Sequence, residues 1–520
     1  MQRFACSRLL SLSRRRFASN KRSPLTYPLN EPLPSFEHSL GDSTVKPSTS
    51  VNGQTDPFAT ELSTLKSGLR VASAPSHGDF VTVGVAIQSG CRFEAEHAKG
   101  VSRFIEKLAF GSTSRRDSNE IFSALDKSSA IIDCQSGRDL TIYAASCHRS
   151  GLPEILEIIA DAAINPLLLE DEIEACAETI VHENDDMRIR IENEPLMTDW
   201  LHQAAYRNNT LGFSKFCTDD AAWKMTEEDV ERFQRAAHVP KRMVVAGVGV
   251  EHAELVGLSE RCFQENTSEL PEGMKKLDES TAQYTGGEVR EVEDLSEVGA
   301  GTPYPLLDHL AVGFEGVGYK DEDFVAFSVL QALMGGGNSF SAGGPGKGMY
   351  TRMYTDVLNH HHWMYGCQAF HHAYADTGLF TVHAACPPDG IGHTLCIVLD
   401  QFLRLPQGAD KVELERAKTQ LKSQLLMNLE VRPVQFEDIV RQVTGHGYRK
   451  KPVEYMEKID SIQSKDIARV GERLLSSRPS LVGYGKLANL QSYDQLDEAI
   501  ARRDVGIINP SKKRKIFSWQ

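Results

Sequence analysis

The apolar pattern of this chain is laid down once and then repeated. Val81 to Ile87 is a strand-length apolar run leading into a helical segment from Gly100 to Ala109. His309 to Phe314 leads in the same way into Asp323 to Met334. Further on, Leu140-Thr141-Ile142-Tyr143-Ala144-Ala145 parallels Phe380-Thr381-Val382-His383-Ala384-Ala385. Each of these runs enters a helix, Leu152 to Ala163 and Ile391 to Leu403, followed by an acidic helix start at Glu170 to Glu174 and at Lys411 to Glu415. Both halves close on a strand, Met243 to Val250 and Ser480 to Leu487. Elements that keep a common offset of about 240 residues mark an internal duplication. Strands and long helices are mixed within each half, with helix pairs grouped together. The predicted fold class is therefore α+β: two homologous domains, each a largely antiparallel sheet with helices packed on one face.

Composition sets the boundaries. With 520 residues the chain can build two full cores. Residues 61–265 form the expected N-terminal domain and residues 301–515 the C-terminal one. Between them, residues 266–300 are rich in Asp and Glu and weak in apolar periodicity, and are expected to be an acidic linker. Residues 31–60 are rich in Pro, Ser and polar residues, a second linker. Residues 1–30 carry seven Lys/Arg and no Asp or Glu, with Leu9, Leu10 and Leu12 interleaved among serines. An Arg- and Ser-rich, acid-poor start of this kind predicts a mitochondrial transit peptide. The whole chain has a formal charge of −14, so the remainder without that basic segment is more acidic still. Such a body repels nucleic acid and attracts basic partners. No apolar run approaches the length of a membrane span. The ten cysteines are scattered without a CxxC pair, which predicts reduced thiols with neither a zinc ribbon nor a disulfide framework.

One segment stands out for its backbone. Gly335-Gly336-Gly337-Asn338-Ser339-Phe340-Ser341-Ala342-Gly343-Gly344-Pro345-Gly346-Lys347-Gly348 is half glycine and lies between two helical segments. So many glycines cost backbone entropy, which makes sense where bare backbone must approach something or move. A flexible spacer is the alternative, but spacers are Gly/Ser-rich without the Pro, Lys and Phe found here. The phosphate-loop pattern fails: Ser341 stands where its first Gly belongs, and Gly348 where its hydroxyl belongs. An extended polymer such as a peptide, lying along exposed N–H and C=O groups, fits the loop better.

The helical segment Gly100 to Phe110 carries a second signal. It resembles the metal-binding helix of the inverted zinc (pitrilysin) peptidases, whose His-x-x-Glu-His holds zinc between two histidines one turn apart. Here the histidine positions hold Arg103 and Lys107, and Glu106 alone keeps its identity. The resemblance maps that family's third ligand, a glutamate further along the chain, onto Glu183. Arg and Lys offer a metal no free lone pair at neutral pH, so these four positions are read as a vestigial zinc motif. His-x-x-Glu-His and His-Glu-x-x-His occur nowhere else. His360-His361-His362 and His371-His372 lack ligand spacing, because consecutive side chains point in different directions. His182 is expected to be a surface helix residue.

From Leu62 almost to its C-terminus the chain resembles the alpha-subunit family of the mitochondrial processing peptidases. The motifs that carry the likeness are Gln283 to Val289, the glycine loop, His360 to Tyr365, Glu413 to Leu421 and Pro433 to Asp438. That resemblance implies a non-catalytic subunit in the mitochondrial matrix, paired in a heterodimer with a beta subunit that carries the zinc and cuts. No cofactor is implied for this chain. Its ligands would be the basic presequences of imported precursors. The substrate-binding residues implied are Gly335, Gly336, Gly337, Asn338, Ser339, Phe340, Gly343, Gly344, Pro345, Gly346, Lys347 and Gly348. Glu430, Glu437 and Asp438 are candidate acidic contacts. Alpha subunits often keep the first histidine of the motif, where this chain has Arg103. Three alternatives stand beside this reading. The first is a core subunit of the mitochondrial ubiquinol–cytochrome c reductase, which shares the fold and would bring association with the inner-membrane respiratory complex. The second is an active metallopeptidase, opposed by Arg103 and Lys107. The third is a general acidic peptide-binding module.

Overall fold

The computed structural model describes residues 58–189, 194–264, 276–294, 306–339 and 349–509. The expected transit segment and nearly all of the linker after it lie outside these residues. Among the described residues, twelve strands form two six-stranded sheets. The first contains β1 (Glu61–Thr64), β2 (Arg70–Ala74), β3 (Phe80–Ile87), β4 (Ile131–Ser136), β5 (Thr141–His148) and β6 (Met243–Val248), in the order β1-β2-β6-β3-β5-β4. The second contains β7 (Gly287–Val292), β8 (Asp308–Gly316), β9 (Gly336–Asn338), β10 (Gly366–Ala373), β11 (Gly378–Cys386) and β12 (Ser480–Gly485), in the order β7-β12-β8-β11-β10-β9. Each sheet has one parallel pair, β2 with β6 and β7 with β12, and is antiparallel elsewhere. The α+β duplication predicted from the apolar pattern is present in five strands of each sheet, β2, β6, β3, β5 and β4 matching β7, β12, β8, β11 and β10, while β1 and β9 are edge additions peculiar to one half each.

One strand lies where a linker was expected. Gly287–Val292, inside the acidic stretch 266–300, is β7 and pairs with β12 along its whole length. Its carboxylates, Glu288 and Glu291, sit on a sheet edge, where charged side chains reach water and discourage further pairing. Acidity marked an edge strand there, not a connector.

Strand alternation explains the packing. In β3, Val81, Val83, Val85 and Ile87 face a core built with the Val101–Lys107, Leu152–Ile164 and Glu227–Ala237 helices, among them Phe104, Ile155, Ile159 and Phe233. The opposite face combines alanines, Ala72 and Ala74 of β2, Ala86 of β3 and Ala246 of β6, with Ile142 of β5 and Val244 and Val248 of β6. That face is closed by the Arg432–His446 helix of the second half, through Phe436, Ile439, Val440 and Val443. Gly84 makes the approach possible, since a Cβ there would collide with the Tyr143 carbonyl and reach within 2.7 Å of the Phe436 ring. The second sheet receives the reciprocal gift. Leu310, Val312 and Phe314 of β8 face its own helices, while Ala311, Leu379, Val482 and Tyr484 pack on Met197, Leu201, Ala204 and Ala205 of the Glu194–Ala205 helix from the first half. Burial on both faces is why these strands read as continuous apolar runs.

A polar seam joins the halves. Arg92 pairs with Asp139 at 2.7 Å and, through both terminal nitrogens, with Asp376 of the second half at 2.6 and 3.1 Å. The Ala282 amide also donates to Asp376, at 2.8 Å. Burial pushes the Asp376 carboxyl up, but Arg92 and the Ala282 amide more than reverse this and hold it below its ordinary value. Beside it, Arg138 and Asp199 form a buried pair at 2.7 Å, and His202 meets the Tyr374 hydroxyl at 2.7 Å. Removing one partner of a buried, hydrogen-bonded ion pair strands the others. Arg92→Ala is therefore expected to lower the unfolding free energy by about 3–5 kcal/mol, read by urea denaturation. A change within error of the wild type would show that the seam is not structural.

Candidate functional site

The vestigial motif is assembled from two helices. Val101–Lys107 begins at Gly100, whose φ of +84° is left-handed and whose side of the turn abuts Cys217 too closely for a Cβ. The buried Glu94 carboxylate caps this helix, accepting from the Gly100 amide (2.8 Å), the Ser102 amide (2.9 Å) and the Ser102 hydroxyl (2.5 Å). Burial raises the Glu94 pKa despite these hydrogen bonds.

Four residues apart, Arg103 and Lys107 lie on one face of this helix. Arg103 pairs with Glu106 at 2.6 Å and with Glu183 at 2.6 Å. Lys107 pairs with the other oxygen of Glu183, which comes from the Glu170–Ile189 helix. The second Glu106 oxygen accepts the Ser136 amide at the end of β4, 3.0 Å away. Burial opposes ionisation of Glu183, but Lys107 and Arg103 outweigh it, and its pKa lies below the ordinary value. The structure thus brings all four sequence-predicted motif residues together, as two cations against two carboxylates. This donor set does not fit zinc. The positions a metal's imidazoles would fill carry full positive charges, and both carboxylates are already engaged by them.

The glycine-rich segment divides into a described and an undescribed part. Phe340, Gly343, Gly344, Pro345, Gly346, Lys347 and Gly348 lie outside the described residues. Gly335, Gly336, Gly337, Asn338 and Ser339 do not form an open loop. Gly336–Asn338 is β9, the edge strand paired with β10 in the register Gly336↔Gln368, Gly337↔Cys367 and Asn338↔Gly366. The Gly335 carbonyl accepts from the Ala369 amide (2.8 Å), and the Ser339 amide donates to the Tyr365 carbonyl (2.8 Å). The three glycines have φ of +52°, +103° and +159°. A Cβ would strike Thr351 at Gly335, the Cys367 carbonyl at Gly336, and come within 2.5 Å of the Tyr354 hydroxyl at Gly337. Close packing, not exposure, demands glycine here. Reading the sequence missed Thr351 and Tyr354 as the reason, and nothing in their local pattern announces it. Beside β9 lies a cavity of about 110 Å³ lined by Asn338, Tyr365, Gln368, Phe370 and the carboxylate-bearing Glu194.

The other candidates are placed as follows. Glu430 is exposed at the end of the Lys411–Leu429 helix. Glu437 and Asp438 are paired with Arg441 (2.6 Å) and Arg449 (2.9 Å). His182 is exposed on its helix. His371 and His372 are half-buried, and loss of solvation lowers the pKa of each to about 4. Among the described residues no cluster of three or more His, Cys, Asp or Glu is arranged to hold a metal ion, and no helix is long and apolar enough to cross a membrane.

Comparison with known proteins gives the fold and site their class. Residues 70–219 match the family described as Insulinase (Peptidase family M16), and residues 224–421 match the Peptidase M16 inactive domain. The mitochondrial-processing peptidase subunit alpha of Caenorhabditis elegans is 49% identical over 94% of this chain and 95% of its own length. The Bos taurus subunit alpha is 44% identical over 94% of this chain and 92% of its own. The Solanum tuberosum protein is 31% identical over 92% and 89%. A solved chain from "Complex III2 from Candida albicans, Inz-5 bound" superposes with a TM-score of 0.70, at 18% identity, covering 85% of this chain and 99% of its own, which shows a shared fold. The chain belongs to the family of mitochondrial-processing peptidase alpha subunits, a mitochondrial branch of the M16 peptidases.

The ion-pair cluster predicts an acid response. Because the Glu183 pKa is depressed in the folded state, its stabilisation is complete above the ordinary value of 4.5 and is lost as pH falls below it. Glu183→Gln should cost stability at neutral pH and flatten the loss below pH 4.5 in urea unfolding series. A parallel acid limb in the variant would contradict the pairing.

Proposed function

We propose that this chain is the non-catalytic, substrate-recognising subunit of a heterodimeric processing peptidase in the mitochondrial matrix. It binds the basic presequences of imported precursors, and a zinc-bearing beta subunit cuts them. The observation that carries this reading is the cluster of Arg103, Glu106, Lys107 and Glu183. A peptidase body whose metal-holding positions are occupied by mutually paired cations and carboxylates has no place for the ion that would activate water. Relatives named as alpha subunits, at up to 49% identity over nearly the whole chain, support the same role. Residues 1–30 are, in this reading, the chain's own transit peptide.

The physical basis of recognition is charge and backbone. A body with excess carboxylates raises the local concentration of basic segments, an effect that weakens as salt screens it. Presequences must be extended for proteolysis, and a glycine-rich stretch such as residues 340–348 can engage an extended chain through main-chain groups. Asn338 and Ser339 anchor the root of that segment. The alternative role as a respiratory-complex core subunit draws on fold likeness at 18% identity, whereas sequence relatives favour the processing peptidase.

Deleting residues 340–348 in the chain co-expressed with its zinc-bearing partner should raise the KM for a fluorescent precursor by about tenfold, roughly 1.4 kcal/mol, with the heterodimer intact by size exclusion. Unchanged precursor affinity in the deletion variant would refute the assignment of the segment.

A further inference from the structure

A cavity of about 370 Å³ opens among the helices of the second half, apart from both regions described above. Three of its walls are apolar: Phe324 and Val325 from the Phe324–Met334 helix, Leu421 and Leu425 from Lys411–Leu429, and Ile459 from Pro452–Ser461. The fourth is the Arg432–His446 helix, which also closes the first sheet. Tyr319 lies against that helix at Gly445, where a Cβ would collide with its ring. Small-molecule sites span about 300–1,000 Å³ and combine mostly apolar walls with a few convergent polar groups.

What the polar lining groups already bind decides the charge of a ligand. One Asp438 oxygen accepts from Arg449 at 2.9 Å and the other from the Gln442 amide at 2.7 Å. The Gln442 carbonyl accepts in turn from the Lys450 main-chain amide (2.9 Å) and the Tyr455 hydroxyl (3.4 Å). Arg441 pairs with Glu437 at 2.6 Å, and the Ser328 hydroxyl donates to the Phe324 carbonyl of its own helix at 2.9 Å. Both charged groups of the lining are thus matched within the protein, and an ionised ligand head would be buried without a counter-ion, which is costly. Two lining groups remain. The Tyr319 hydroxyl and the His446 ring nitrogens make no hydrogen bond among the described residues, and the two rings stand edge to face with centroids 5.6 Å apart. Loss of solvation lowers the His446 pKa and pushes that of Tyr319 up to about 12, so both are uncharged at neutral pH. A phenol and a neutral imidazole can each donate and accept, which suits one hydroxyl or carbonyl group.

We propose that this cavity binds a small uncharged amphiphile, its apolar body held between Phe324, Leu421, Leu425 and Ile459 and its single hydroxyl or carbonyl head hydrogen-bonded at Tyr319 and His446. Such a ligand touches three helices of the second half and the helix that closes the first sheet, so its binding stabilises both halves together. Nothing in the presequence-binding role requires this site, so the two stand or fall separately.

The test is isothermal titration calorimetry and thermal unfolding of the full chain at neutral pH with octanol, octanoate and octylammonium, each below its solubility and micelle limits. The expected result is saturable one-site binding of octanol, about tenfold or more tighter than either ion, with a thermal midpoint that rises with octanol concentration. Tyr319→Phe combined with His446→Phe keeps both rings and should weaken octanol about fivefold or more, leaving the ligand-free thermal midpoint unchanged. Leu425→Trp, which fills the cavity, should abolish octanol binding with the far-UV circular dichroism of the wild type. Non-saturable uptake, either ion binding as tightly as octanol, an affinity unchanged in the double variant, or binding that survives Leu425→Trp would overturn the proposal.

Discussion

Each sheet of this protein is buried on both faces, and for each the second face is closed by a helix from the opposite half. Phe436, Ile439, Val440 and Val443 cover the first sheet, and Met197, Leu201, Ala204 and Ala205 cover the second. An apolar sheet face cannot be presented to water without losing the burial that drives its folding. The two halves therefore cannot part while keeping their cores. Gly84 on the exchanged face of the first sheet lets a helix approach closely, and the Arg92, Asp139 and Asp376 seam fixes one half against the other. The halves are then a rigid pair of domains, not two modules on a tether.

Within that frame the vestigial motif keeps the architecture of a metal site without the metal's chemistry. A zinc ion would tie the Val101–Lys107 helix to the helix that carries Glu183. Here Arg103 and Lys107 tie the same two helices directly, each to one oxygen of Glu183. The group is balanced, two positive charges against two negative, so it can sit half-buried without an uncompensated ion. Catalysis is lost and the scaffold is retained.

Much of this was legible beforehand, for identifiable reasons. The duplication shows because strand and helix periods repeat at a fixed offset, and the inert motif shows because Arg103 and Lys107 are chemically unable to replace imidazole. Other features were hidden. β7 looked like a linker because an edge strand such as Gly287–Val292 is allowed to be acidic. The exchange of helices was invisible because amphipathic patterning says that a face is buried, never by which partner. Gly335 to Gly337 resembled a free loop because glycine demanded by collision with Thr351, Cys367 and Tyr354 spells the same as glycine needed for exposure. Glu437 and Asp438 looked available for a basic ligand, but they are held by their own cations, Arg441 one turn along the helix and Arg449 just past its end.

The most direct measurement is a precursor-processing assay on this chain alone, on a zinc-bearing beta subunit alone, and on the mixture, with and without a chelator. The account requires that only the mixture cleaves efficiently, and that the isolated chain binds precursor without cutting it. Chelator-sensitive cleavage by the isolated chain would contradict it.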